Sequence, residues 1–200
     1  AGSDTPLAAE HLVLTAHLDH LGIGAPINGD AIYNGALDNA LGVSIMLEAA
    51  RAMVTAEVQL KRSVLFVAFT GEEKGLLGAF HFVATPPVDK SAIIANVNMD
   101  MPVILGALSD VVPIGIEHSS LQSVVEQAAR EIGVNLSPDP KPEETVFVRS
   151  DQYAFIRAGI PAIYLDGGVK GRDSDFDGLA SLDDFLNKHY HFPSDDANQT

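Results

Sequence analysis

Residues 64–75 read VLFVAFTGEEKG. The first six residues are all apolar, the pattern of a strand covered on both faces, and such strands belong to parallel sheets in α/β folds. The run then stops at Thr70 and Gly71 and delivers two adjacent carboxylates, Glu72 and Glu73. Like charges at neighbouring positions repel, and burial makes the repulsion worse. The pair is therefore either solvated or held by something positive.

The same pattern repeats on both sides of this stretch. Residues 11–16 (HLVLTA) form a short apolar strand, and residues 18–34 are rich in Gly, Asp and Asn and read as a loop. Asp38-Asn39 stands before ALGVSIMLEAARAMV, where apolar residues recur at three and four, so a helix follows with Asp38 or Asn39 as its cap. Residues 63–69 are the second strand, followed by a short helix over 76–83 that Pro86-Pro87 ends. Residues 91–99 (SAIIANVNM) are a third strand and 111–116 a fourth. Ser119 or Ser120 caps a helix through Ile132 that Gly133 closes. Ser150-Asp151 opens a short helix (QYAFIRAG), residues 161–165 form another strand, and residues 167–184 are polar and acidic. Strands alternating with helices predict an α/β sandwich with a largely parallel sheet covered by helices.

Composition narrows the function classes. The 200 residues are 46% hydrophobic, enough to bury the core of a single domain. No cysteine is present, which removes disulfides, thiolate zinc sites and a cysteine nucleophile. A formal charge of −15 argues against nucleic acid and anionic membrane surfaces as partners. No apolar run reaches the roughly 18 residues of a membrane span. The excess acid serves solubility, or it holds metal cations.

In open α/β sheets, ligands bind beyond the carboxyl ends of the strands. His17 and Asp19 follow the first strand, Asp38 precedes the first long helix, Glu72 and Glu73 follow the second strand, and Asp100 follows the third. His191 lies in HYHFPSDD near the C-terminus. Imidazole and carboxylate without sulfur suit zinc, or less selectively manganese or cobalt. One catalytic zinc takes three protein ligands and a water. Five candidate ligands are too many for that, and fit two metals that share a carboxylate. Each residue also has an ordinary use. Asp38 can be a helix cap, Glu72-Glu73 solvated turn residues, Asp100 a turn cap before Pro102, and His191 a stacking partner of Phe192 or Pro193. Asp19 is placed to hold the second nitrogen of His17. Ordinary uses do not predict that all of them fall at successive strand ends. On the residues alone, His17 and His20 both remain open as ligands, as do His189 and His191.

The ordered set AHLDHLG, YNGALDNALGVSIMLE, FVAFTGEEKGLLG, NVNMD and YHFPSDD closely resembles metallopeptidase family twenty-eight, the co-catalytic di-zinc aminopeptidases. The resemblance runs from His11 to about Asp196. It implies a zinc-exopeptidase-like three-layer sandwich with a mixed, largely parallel sheet. It also implies that His17, Asp38 and Asp100 bind one zinc and that Asp38, Glu73 and His191 bind the other, with Asp38 bridging. Glu72 would be the general base, Asp19 would orient His17, and the Asp38-Asn39 peptide would be cis. Only His17 and His191 match ligand positions, which leaves His20 and His189 outside the set; His11, His81 and His118 are then structural or solvated. The implied activity removes N-terminal residues from peptides with a free amino terminus, in a secreted or periplasmic setting.

Four features lie outside that pattern. Asp173, Asp175 and Asp177, followed by Gly178 and Asp184, have the spacing of a calcium loop, with Asp where an EF-hand has its last Glu. Gln152 stands where family members often carry histidine, which bears on specificity, and residues 146–155 are candidates for the substrate pocket. Little precedes His11 or follows Asp196, so residues 1–200 are expected to be one metallopeptidase catalytic domain cut from a longer chain, with an exposed edge strand and apolar face. Competing functions are a carboxypeptidase or dipeptidase on the same scaffold, a glutaminyl cyclase with one zinc, and a non-catalytic binding domain.

Overall fold

Val13 and Leu14 are neighbours in the chain, yet they are buried in two different clusters. A strand sends successive side chains to opposite faces, so their sheet is covered on both. The computed structural model that shows this describes residues 2–3, 6–56, 59–102, 106–173 and 175–198. Its strands are β1 (His11–His17), β2 (Gly22–Ile27), β3 (Asp30–Tyr33), β4 (Ser63–Phe69), β5 (Ile93–Asn98), β6 (Asp110–Ile114), β7 (Asn135–Leu136) and β8 (Ala162–Gly167). Its α-helices are α1 (Leu41–Thr55), α2 (Leu77–Ala84), α3 (Gln122–Ile132), α4 (Gln152–Arg157) and α5 (Gly178–Lys188).

The main sheet has the order β4-β1-β5-β8-β6-β7. It is parallel from β4 through β8, and β6 runs antiparallel to β8. One face carries α2 and α4, whose Ala79, Phe82, Val83, Ala154 and Phe155 pack on Val13 and Phe69. The other carries α1, whose Met46 packs on Leu14 and Met99. This is the expected α/β sandwich with a mixed, mostly parallel sheet. Register then decides where chemistry can occur. His17 of β1 lies opposite Phe69 of β4, and Thr15 of β1 opposite Asn98 of β5. The residues after β1, β4 and β5 therefore leave the sheet at one end.

The residues before α1 do not form an ordinary cap. The Asp38–Asn39 peptide is cis, as the resemblance implies, and sits in a π-type turn over Ala36–Ala40. Asn39 makes the capping bond, its Oδ1 accepting from the Gly42 amide at 3.0 Å. The same oxygen accepts from the Met101 amide, and Asn39 Nδ2 donates to the Met99 carbonyl, both at 3.0 Å. One side chain thus joins the start of α1 to the end of β5.

Several expectations need correction. Residues 18–34, read as a loop, contain the β2–β3 hairpin. Its turn is Asn28-Gly29, both at positive φ, the usual chemistry of a two-residue hairpin turn. Its strands are mostly exposed, so they carry no apolar alternation to read. Residues 91–92 of the third predicted strand belong instead to a 3-10 turn, Lys90–Ala92, capped by Asp89. The acidic stretch 167–184 contains the end of β8 and much of α5, which buries Phe185 and leaves Leu179 exposed. Leu121 precedes α3, its amide held by Ser119 Oγ at 3.1 Å, and Gly133 closes the helix as expected. Among the described residues β4 pairs only with β1, and Phe66, Val54 and Leu47 are exposed on that flank and on α1.

Gly42 tests this packing. Alanine is the better helix former by about 1 kcal/mol. A Cβ on Gly42 would nevertheless lie 2.1 Å from Asn39 Oδ1 and 2.5 Å from the Met99 carbonyl oxygen. Because the second contact is backbone, overpacking at about 1–3 kcal/mol outweighs propensity. Gly42→Ala is expected to lower the melting temperature by several degrees in thermal circular dichroism. An unchanged or raised value would show that the turn is free to shift.

Candidate metal centre

The open end of the sheet forms a cavity of about 450 Å³. His17, Asp38, Glu72, Glu73, Asp100 and His191 line one side of it. Leu76, Phe80, Met101, Val146, Val148 and Tyr153 give it an apolar wall, and Arg149, Tyr164 and Tyr190 complete it. Every sequence-predicted ligand and Glu72 therefore meet in one place, drawn from the ends of β1, β4 and β5, the turn before α1 and the loop after α5.

Asp38 is the centre of the arrangement. Its Oδ1 lies 3.2 Å from His17 Nε2, while its Oδ2 lies 3.2 Å from His191 Nε2. His17 Nε2 is also 3.0 Å from Asp100 Oδ1, and His191 Nε2 is 3.2 Å from Glu73 Oε2. One carboxylate thus faces two donor groups, one on each oxygen. The backbone fixes it from both sides. Asn39 ties down the following residue, and buried Asp195 accepts the Leu37 and Asp38 amides at 2.8 and 3.0 Å. Asp195 lies in the YHFPSDD stretch. Nothing in sequence spacing marks a partner 157 residues away.

The remaining side chains are held individually. His17 Nδ1 lies 3.0 Å from the Asp19 backbone carbonyl, so Nδ1 carries a proton and Nε2 is the nitrogen turned toward the carboxylates. The Asp19 carboxylate is 3.8 Å from that nitrogen and instead accepts the Glu72 amide at 3.3 Å. Asp19 therefore orients His17 through its main chain, where the sequence pointed to the carboxylate. Asp100 Oδ2 accepts from Ser150 Oγ, and the Asp100 carbonyl accepts from Tyr164 Oη at 2.8 Å. Beneath Asp100, Asn98, Thr15 and Asn96 form a fully buried polar chain. Gln152 belongs to this chain, bonded to Asn98 and to the Phe147 carbonyl, and does not line the cavity. Val146, Val148 and Tyr153 do line it, whereas Phe155 is core.

His189 turns away, its Nδ1 3.0 Å from Ser194 Oγ and its ring stacked on Phe185. His20, outside the set that the resemblance selects, enters the cluster. Its Nδ1 lies 2.9 Å from Glu73 Oε1 and 3.8 Å from Asp38 Oδ2. The acidic loop has other duties. Asp177 caps α5 through the Ala180 amide, and Asp184 pairs with Lys188. Among the described residues, the groups able to hold a metal are His17, Asp38 and Asp100, and His20, Asp38 and Glu73. Asp173, Asp175, Asp177 and Asp184 are not brought together as a calcium site, and Ser174 between the first two lies outside the described residues.

Electrostatics explain what such a cluster requires. Burial disfavours a charged His17, but contacts with Asp100 and Asp38 outweigh it and push the imidazole up to about 12. Contacts with Asp38 and Glu73 raise His191 to about 9. Burial would raise Asp38, yet His17 and His191 hold it well below the usual carboxylate range. Burial likewise opposes ionisation of Glu73, which His191 and His20 nevertheless hold at about 2. Glu72 has no such partner, and burial followed by repulsion from Asp100 pushes it up to about 9. Without metal, protons do the neutralising. The donor set also fits zinc in its chemistry, being imidazole nitrogen and carboxylate oxygen only. The buried atoms Glu73 Oε1, His20 Nδ1 and His20 Nε2 have no hydrogen-bond partner, although two of them lie 2.9 Å apart. Of these, His20 Nδ1 and Glu73 Oε1 lie with Asp38 in one group able to hold a metal, while His20 Nε2 is on the other side of the ring.

The sequence model of peptidase family M28 matches residues 1–200. A probable zinc metalloprotease of the fungus Pyrenophora tritici-repentis is 40% identical over 76 residues, which cover 38% of this chain and 17% of that protein. Among solved structures, BSAP, a zinc aminopeptidase from Bacillus subtilis, superposes with a TM-score of 0.60 at 26% identity. The match covers 84% of this chain and 39% of that one. The glutaminyl cyclase of Porphyromonas gingivalis has a TM-score of 0.61 at 20% identity, covering 96% and 67%, a likeness of fold. The chain thus spans well under half the length of the metalloprotease and of the aminopeptidase.

Protonation predicts an unusual stability profile for the metal-free chain. His17, His191 and Glu72 keep protons in the fold that the unfolded chain releases, so stability falls as pH rises, from 4.5 to about 9 for Glu72, from 6.5 to about 9 for His191 and from 6.5 to about 12 for His17. Asp38 and Glu73 act oppositely, and their contribution is lost as pH falls below about 4. Zinc displaces the protons, so its binding tightens with pH and moves the stability maximum upward. Melting temperatures from pH 5 to 9, with chelator and with zinc, check this. A metal-free melting temperature that climbs steadily to pH 9 would contradict it.

Proposed function

The chain belongs to peptidase family M28, and on that footing we propose that it is a zinc-dependent aminopeptidase that hydrolyses the first peptide bond of substrates with a free amino terminus. The observation that carries the reading is Asp38, whose two oxygens face separate donor groups beside Glu72 in one cavity. His17, Asp38 and Asp100 would hold one zinc, and Asp38, Glu73 and His191 the other. When bound, zinc lowers the pKa of water towards 7 and polarises a carbonyl oxygen.

The chain's own residues supply the rest. Glu72 accepts the proton of the attacking water and passes it to the departing amine. Its raised value in the metal-free protein makes it a good proton carrier, and neighbouring cations lower that value so that it can start as a base. The Asp19 carboxylate holds the Glu72 amide, and the Asp19 carbonyl holds His17, so one residue sets the spacing of base and ligand. A cavity lined by carboxylates favours the ammonium of a free amino terminus. Leu76, Phe80, Val146 and Val148 offer an apolar wall to the first side chain. The similarity to the Bacillus subtilis zinc aminopeptidase supports this substrate class. The short span relative to that enzyme supports reading residues 1–200 as the catalytic part of a longer protein.

Leucine nitroanilide is expected to be cleaved and its N-acetyl form left intact. Cleavage of the blocked form alone would sink the aminopeptidase reading, and cyclisation of N-terminal glutamine without peptide hydrolysis would move the chain to the cyclase class. Glu72→Gln should keep its zinc and lose about 100-fold or more in kcat. Near wild-type turnover in a zinc-loaded variant would remove Glu72 as the base.

A further inference from the structure

We propose that His20 is a fourth protein donor to the second zinc, acting through Nδ1 beside Asp38, Glu73 and His191. The inference rests on the two-zinc reading above and departs from the ligand set that the family resemblance implies. The His20 side chain is only 6% exposed. Both of its ring nitrogens are buried and lack hydrogen-bond partners. Nδ1 is set among carboxylate oxygens, in the group with Asp38 and Glu73 that could hold a metal, and a cation there would take the lone pair of a neutral ring.

The distances match those among the other donors. His20 Nδ1 is 2.9 Å from Glu73 Oε1, itself unpartnered, and 3.8 Å from Asp38 Oδ2. His17 Nε2 lies 3.0 and 3.2 Å from Asp100 and Asp38, and His191 Nε2 lies 3.2 Å from both Asp38 and Glu73. The rings of His20 and His191 meet edge to face at 5.7 Å, so both imidazoles approach the same carboxylates. The backbone holds His20 there. A Cβ on Gly35 would lie 2.7 Å from His20 Cγ, so the turn that carries Asp38 is packed directly on this ring.

The consequence is that the two sites differ. A zinc with four protein donors is of the closed kind, whereas three donors leave a position open. The His20 side would therefore hold its ion more tightly, and the open position would belong to the His17 side.

Zinc K-edge absorption of the zinc-loaded 200-residue chain tests this. Imidazole scattering from His17, His20 and His191 is expected in the wild type, and it should fall in His20→Ala and in His20→Gln. Competition with a chromophoric chelator should show one of the two sites weakened by about tenfold or more in each variant. Imidazole scattering accounted for by His17 and His191 alone overturns the proposal, even where a variant fails to fold. So does a folded His20→Ala with wild-type scattering and affinity. In these cases the two-zinc reading stands. A wild-type chain that takes up no zinc overturns both.

Discussion

Four carboxylates, Asp38, Glu72, Glu73 and Asp100, share one cavity at the end of a parallel sheet, where burial and mutual repulsion oppose their all staying ionised together. The metal-free electrostatics show the compromise. Two imidazoles are driven to hold protons, two carboxylates are pinned as their partners, and Glu72 is forced towards the neutral acid. Cations resolve the conflict more completely than protons do, because they leave Glu72 able to lose its proton. The adjacent glutamates of TGEEKG divide accordingly. Glu73 faces imidazoles and reads as a ligand, while Glu72 lacks a cationic contact and reads as the base.

Holding such groups together requires a scaffold that does not give way. Much of it is polar and fully buried. Asn96, Thr15 and Asn98 lie inside the sheet and are bonded to each other, and the chain reaches Asp100 through Ser150. Buried polar groups are tolerated only when they are paired, and a paired network fixes a single geometry. Asn39 and Asp195 do the same for the turn that carries Asp38, each through bonds to backbone amides. The apolar clusters on the two faces supply the burial that anchors these networks.

Much of this was legible in the sequence because it depends on local pattern. The apolar runs gave β1, β4, β5 and β8, and the three-and-four spacing gave α1. Strand-end position pointed to the region of His17, Glu72, Glu73 and Asp100, with Asp38 before the first helix, and the family resemblance then selected His17 over His20 and His191 over His189. The features that escaped have physical reasons. The β2–β3 hairpin is exposed on both faces, so no apolar alternation marks it, although Asn28-Gly29 marked its turn. The helix α5 buries little beyond Phe185 and its acids mimicked a calcium loop, while one of them is the helix cap. His20 and Asp195 act across distances that only folding closes. Asp19 stands beside His17 as its sequence position suggests, and its carbonyl oxygen is the atom that meets the ring.

On the proposed two-zinc reading, Asp38 joins both cations in one site. Native mass spectrometry of the chain after equilibration with zinc, alongside Asp38→Asn, measures it most directly. The account predicts two zinc ions on the wild type and weakened retention of both on the variant, because each oxygen of Asp38 serves one ion. A wild type that carries no zinc, or an Asp38→Asn chain that retains both ions as firmly as the wild type, would contradict it.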